Sequence, residues 1–145
     1  MNARREPPAR YELIDHTADI GLAVTGESAA DLFAVAAVAL ADLLFDPNEV
    51  SELEERRVNL EAPSREDLLV RWLNELIYLR DADSFLWRSV EIRFEGERRL
   101  SAVLRGEVFH QGRHCVRSGV KAATYHLLEV VEVSEGWSAR IILDV

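Results

Sequence analysis

The chain has 145 residues, of which 48% are apolar and 30% charged, a length and balance that favour a single domain with a sizeable core. Asp and Glu number 26 against 17 Lys and Arg, giving a net charge of −9. That excess argues against a protein whose main task is to grip phosphate backbones and favours a basic protein partner or a bound cation.

The opening Met1-Asn-Ala-Arg-Arg-Glu-Pro-Pro8 is charged and proline-rich without an apolar stretch, so no secretory signal is expected. Residues 1–10 read as a disordered tail and 11–145 as the folded domain. Tyr11-Glu-Leu-Ile14 suggests a short strand, followed by a polar knot, Asp15-His-Thr-Ala-Asp19. Ile20 to Thr25 alternates with period two, which predicts a second strand with Ile20, Leu22 and Val24 toward the core. Ser28 with Asp31 three residues on predicts a helix start, and the segment from Ala29 to Phe45 is apolar nearly all round, as a buried helix requires. Its longest apolar run, Leu32 to Ala41, is about half the roughly 20 residues of a membrane span.

Arg57 to Ala62 alternates again. Ser64-Arg-Glu-Asp67 repeats the helix-start pattern, and Leu69, Trp72, Leu73 and Leu76 then form an apolar stripe, with Arg71, Asn74, Glu75 and Tyr78 expected on the opposite side. Strands are predicted over Val90–Glu95 and Leu100–Val108, joined across Gly96, and over Thr124–Val133 and Trp137–Leu143, joined across Ser134-Glu-Gly136. Residues His110 to Gly119 read as a loop. Helices early and hairpins late define an α+β fold, two helices packed on a largely antiparallel sheet.

The chemistry rests on carboxylates. Asp144 stands at the end of an apolar strand of the kind that is normally central in a sheet, with the α-carboxylate of Val145 beside it. If Asp15 and Asp19 lie at the same edge, three or four carboxylates converge, and such a cluster either retains a proton or recruits a cation. Oxygen donors without a thiolate suit calcium, magnesium or manganese. From spacing alone, a turn capped by Asp15 and Asp19 and a solvated Asp144 is the simpler explanation of the same residues, because Asp is the usual turn residue. His110, His114 and Cys115 form a weaker candidate for zinc, because the paired-cysteine spacing is missing. His126, in an apolar strand, suits a hydrogen-bonded structural role. No phosphate-loop or dinucleotide glycine motif is present, and the single cysteine points to a reducing, cytoplasmic setting.

Four segments carry a family resemblance. Tyr11-Glu-Leu-Ile-Asp-His-Thr-Ala-Asp-Ile20 resembles the N-terminal signature of the archease family. Val120-Lys-Ala-Ala-Thr-Tyr-His126 is similar to that family's C-terminal motif, and Ile141-Ile-Leu-Asp-Val145 to its acidic ending. Leu68-Leu-Val-Arg-Trp-Leu-Asn-Glu-Leu-Ile-Tyr78 is similar to its second helix, and the order and separations match from about residue 11 onward.

Archeases are accessory proteins of the RNA ligase that joins tRNA halves in splicing and repair. The resemblance implies that this protein promotes ligase guanylylation and turnover without ligating RNA itself. It also implies a divalent ion, assigned in the family as calcium, at Asp19, Asp144 and Val145. The motif lysine corresponds to Lys121, the one lysine in the sequence; Asp15, His16 and His126 remain secondary candidates. The family usually ends in Ile where this chain has Val145, and many relatives carry an acidic residue where it has Gly119. Two other readings of the same residues are a small metal-dependent hydrolase or phosphoryl-transfer enzyme, with His16 the nearby base, and a chaperone-like binding module. The partner expected is thus the tRNA-splicing RNA ligase, with no direct nucleic-acid grip and no membrane.

Overall fold

Two serines set where the helices begin. The Ser28 hydroxyl accepts from the Asp31 amide at 3.0 Å to open α1, Ala29–Leu44, and Ser64 accepts from Asp67 at 3.1 Å to open α2, Arg65–Asp83. Each cap satisfies an amide the first helical turn leaves free. The computed structural model describes residues 10–15, 19–117 and 119–145. Residues 1–9 of the expected tail, and His16, lie outside this set. Arg10 belongs to the folded part: its carbonyl accepts from the Thr25 amide at 2.9 Å and its guanidinium pairs with Asp31.

The strands are β1, Tyr11–Asp15; β2, Asp19–Gly26; β3, Glu54–Glu61; β4, Phe85–Glu95; β5, Arg99–Val108; β6, Ala122–Val133; and β7, Gly136–Asp144. The α+β class holds and the pairings between these strands are antiparallel. The strands divide into two sheets, β1-β2-β7-β6 and β3-β5-β4, rather than forming the one sheet envisaged from the sequence. The helices sit between them. Helix α1 packs on β2 and β7 of the first sheet and on β4 of the second, while α2 packs on β6, β4 and β3.

This position explains the nearly uniform apolarity of α1. Leu32, Phe33, Ala36, Ala37, Ala39, Leu40 and Leu44 are fully buried, each large side chain contributing about 1.5–3 kcal/mol. Tryptophans tie the layers together. The Trp72 indole donates to the Phe33 carbonyl and that of Trp87 to the Ala37 carbonyl, both at 3.0 Å, using the second lone pair of oxygens already bonded within the helix.

Strand β4 starts at Phe85 rather than Val90. Phe85, Leu86 and Trp87 are all buried, and the register slips between Trp87 and Ser89, so the alternation that reveals a strand is broken there. Opposite this bulge lies Gly106 of β5, where a Cβ would land on the Leu86 carbonyl. Because that obstacle is backbone, Gly106→Ala should destabilise the protein by about 3 kcal/mol, read as a fall in the urea midpoint; an unchanged midpoint would show that the bulge can relax.

Candidate functional site

At one end of the four-stranded sheet three chain segments meet. Asp19, the first residue of β2, stands directly opposite Asp144, the last of β7, and Asp144 is in turn opposite Ala122, the first of β6. Directly opposed residues share a face, with Cβ atoms about 4.5–5.5 Å apart. The central place of β7 between β2 and β6 creates this row. Lys121 enters β6 from the same end, its amide donating to the Asp144 carbonyl at 2.7 Å. Asp19 is half-buried, whereas Lys121, Asp144 and Val145 are exposed.

Two like charges held opposite each other repel, and a cation between them removes that cost. The donors here are carboxylate and main-chain oxygens, which fit a hard divalent ion. Among the described residues no three His, Cys, Asp or Glu side chains gather in one place; Asp19 and Asp144 are brought into register, and the α-carboxylate of Val145 follows Asp144 in the chain. Asp15 is in register with Ile20, one step from the Asp19–Asp144 pair.

Helix α2 adds two residues that the sequence did not single out for this site. Asn74, on the side opposite the apolar stripe, is half-buried: its Nδ2 donates to the Ala123 carbonyl at 3.2 Å and its Oδ1 accepts from the Ala123 amide at 2.8 Å. Arg80 Nη2 donates to the Val120 carbonyl at 3.2 Å. A polar residue one turn from Ile77 and Tyr78 gives no periodic sign of such a task.

His126 is exposed on a bulge of β6, where the register breaks between Thr124 and Glu129. Its amide donates to the Thr124 hydroxyl at 3.3 Å; the residue lies within β6, as the sequence suggests, with its side chain at the surface rather than in the core.

The zinc reading of the loop also fails on geometry. His114 Nδ1 accepts from the His110 amide at 2.8 Å, which leaves the ring proton on Nε2, 3.0 Å from Glu107 Oε2. Both ring nitrogens are therefore engaged, and Cys115 is exposed. Glu107, which carries no local signal in the sequence, is only 2% exposed. It also accepts from Arg113 at 2.6 and 3.1 Å and from the Ser51 amide at 2.7 Å. Foremost the Arg113 hydrogen bond, then that of Ser51, outweigh burial and hold its carboxyl down at about 2 from an ordinary 4.5. This latch fastens the loop to β5. Val116 then bridges Phe45, and the Arg117 amide donates to the Leu44 carbonyl at 2.8 Å.

The architecture defines a small α+β protein whose candidate site is an open, acidic sheet end bearing one lysine. Comparison with known proteins gives its family. The model of the Archease protein family matches residues 11–145, and the chain belongs to that family. Protein archease of Methanosarcina acetivorans is 37% identical over 140 residues, covering 94% of this chain and 96% of that protein. Protein archease of Pyrobaculum calidifontis is 35% identical over 149 residues and covers both chains in full. The solution structure of Methanobacterium thermoautotrophicum protein 1598 is similar with a TM-score of 0.78 at 32% identity, over 94% of this chain and 99% of that one. No described helix is long and apolar enough to cross a membrane.

Proposed function

We propose that the protein is a non-enzymatic, metal-binding activator of a tRNA-splicing or RNA-repair ligase, acting in the cytoplasm to promote ligase guanylylation and repeated turnover. The observation that carries this reading is the Asp19–Asp144 pair with Lys121 hydrogen-bonded at the same sheet end. Asp19, Asp144 and an oxygen of Val145 would hold the divalent cation, calcium or else magnesium or manganese. When bound, the ion supplies neutralisation of the paired carboxylates and a fixed positive centre. Lys121 presents a second cation beside it, toward a phosphate or carboxylate of the ligase. The net charge of −9 steers the protein toward a basic surface.

The test is to mix the protein with the cognate ligase, GTP and metal, and follow guanylylation and multiple turnover. Hydrolysis by the protein alone, with no effect on the ligase, would instead support a metal-dependent enzyme; protection of unrelated unfolded proteins alone would support a chaperone-like module. Lys121→Ala gives the sharper result. An exposed ion pair contributes about 0–1 kcal/mol, so the melting temperature should hardly move while guanylylation falls strongly. Lys121→Arg keeps the charge in a different shape and should restore only part of it. Full activation by Lys121→Ala would remove the lysine from the mechanism.

A further inference from the structure

We infer that Asn74 is a positioning residue that, with Arg80, fixes the main chain on both sides of Lys121; the inference rests on the role proposed above for that lysine. Lys121 itself is exposed, and an exposed lysine on a free backbone would sweep many positions. Its neighbours are held. Val120 is 1% exposed and its carbonyl accepts from Arg80 at 3.2 Å. Ala123 is 5% exposed, and Asn74 takes both its amide and its carbonyl, at 2.8 and 3.2 Å. Between these anchors the Lys121 amide is committed to the Asp144 carbonyl at 2.7 Å.

One helix therefore grips the strand entry before and after the lysine, and the lysine's own peptide is joined to the residue that carries the carboxylate. The amide side chain of Asn74 suits this task because it offers a donor and an acceptor side by side, as one strand residue offers another. An acid would lose the donor and a leucine both groups. The arrangement sets where the stem of Lys121 leaves the sheet relative to Asp19 and Asp144. It also gives a half-buried polar side chain of α2 partners for both its donor and its acceptor.

Asn74→Leu, of similar volume, and Asn74→Asp, which keeps the acceptor, test this in the full-length protein. Amide exchange is followed at Lys121 and Ala123, and ligase guanylylation is titrated against protein concentration. Exchange at Ala123 should accelerate about tenfold in Asn74→Leu, as loss of its hydrogen bond to Asn74 entails, and exchange at Lys121 should rise with it as the strand entry loosens. Maximal stimulation should fall by a similar factor, while the half-activating concentration stays unchanged because the docking surface is intact. Asn74→Asp should fall between wild type and Asn74→Leu, and supplies the answer if the leucine variant does not fold. Wild-type maximal stimulation, or unchanged exchange at Lys121, in Asn74→Leu would overturn the inference. A rise in half-activating concentration alone would also overturn it, by assigning Asn74 to docking. Should the wild-type protein leave the ligase unstimulated, the proposed function fails and the role of Lys121 with it, while fast exchange in Asn74→Leu would still establish the mount.

Discussion

Asp144→Ala and Asp19→Ala should each lower affinity for a divalent cation by about 100-fold or more, and reduce ligase stimulation close to that of the ligase alone. Loss of residues that merely orient ligands commonly costs 10–100-fold, and here a donor itself is removed. The accompanying stability change distinguishes this site from an ordinary polar contact. Asp19 and Asp144 are directly opposed in the ladder, and opposed like charges destabilise a sheet by about 0.2–1 kcal/mol. In chelator, therefore, either alanine variant should melt at the wild-type temperature or slightly above it. In excess calcium the order should reverse, since the wild type alone gains stability from binding. Calorimetric titration with calcium and paired melting curves supply both readings. Wild-type affinity in either variant would mean that the cation, if bound, is held elsewhere.

Glu107→Ala should destabilise the protein by about 3 kcal/mol, since it leaves the Ser51 amide, Arg113 and the buried His114 without their common acceptor. Glu107→Gln should cost less, keeping an oxygen but losing the charge. The wild-type pH dependence has a definite sign. The folded-state value is depressed from 4.5 to about 2, so the contribution is fully present above pH 4.5 and is lost as pH falls through about 2. Between those limits wild type should lose stability with falling pH more steeply than Glu107→Gln, as measured by urea midpoints across the range. Parallel slopes would show that the carboxylate is not held ionised in the native state. The loop from Phe109 to Arg117 should also become more susceptible to proteolysis in Glu107→Ala, because the latch joins it to β5.

The sequence and the fold agree most closely where local chemistry determines structure. Ser28 and Ser64 marked helix starts because a side-chain acceptor three residues before an amide is a local arrangement. The centrality of β7 was readable from its apolar character on both faces: Ile141, Ile142 and Leu143 are all buried. Division into two sheets was not readable, since strand alternation shows which face is covered but not by which layer. Phe85 to Trp87 escaped because a bulge erases period two. Asn74 and Glu107 escaped for a different reason: each is a polar residue, the first half-buried and the second buried, whose partners are distant in sequence, and neither pattern nor spacing encodes a hydrogen bond to Ala123 or to Ser51. Of the candidate site, Asp19, Lys121 and Asp144 are brought to one sheet end, His114 is taken by the latch, His126 is exposed, and His16 lies outside the described residues.

The order of strands in the first sheet also bears on how the site comes into being. The β1–β2 and β6–β7 pairs are hairpins between consecutive strands, available early at little loop-closure cost. The contact between β2 and β7 joins distant parts of the chain, and contacts of that kind form late and slowly. Asp19 and Asp144 face each other only through that contact. A partly folded chain, with both hairpins formed but not yet zipped together, would hold Lys121 against Asp144 but leave Asp19 apart from them. Closure of one ladder thus couples completion of the fold to readiness of the site, so a chain in which β2 and β7 are unpaired cannot present the opposed carboxylates to a partner.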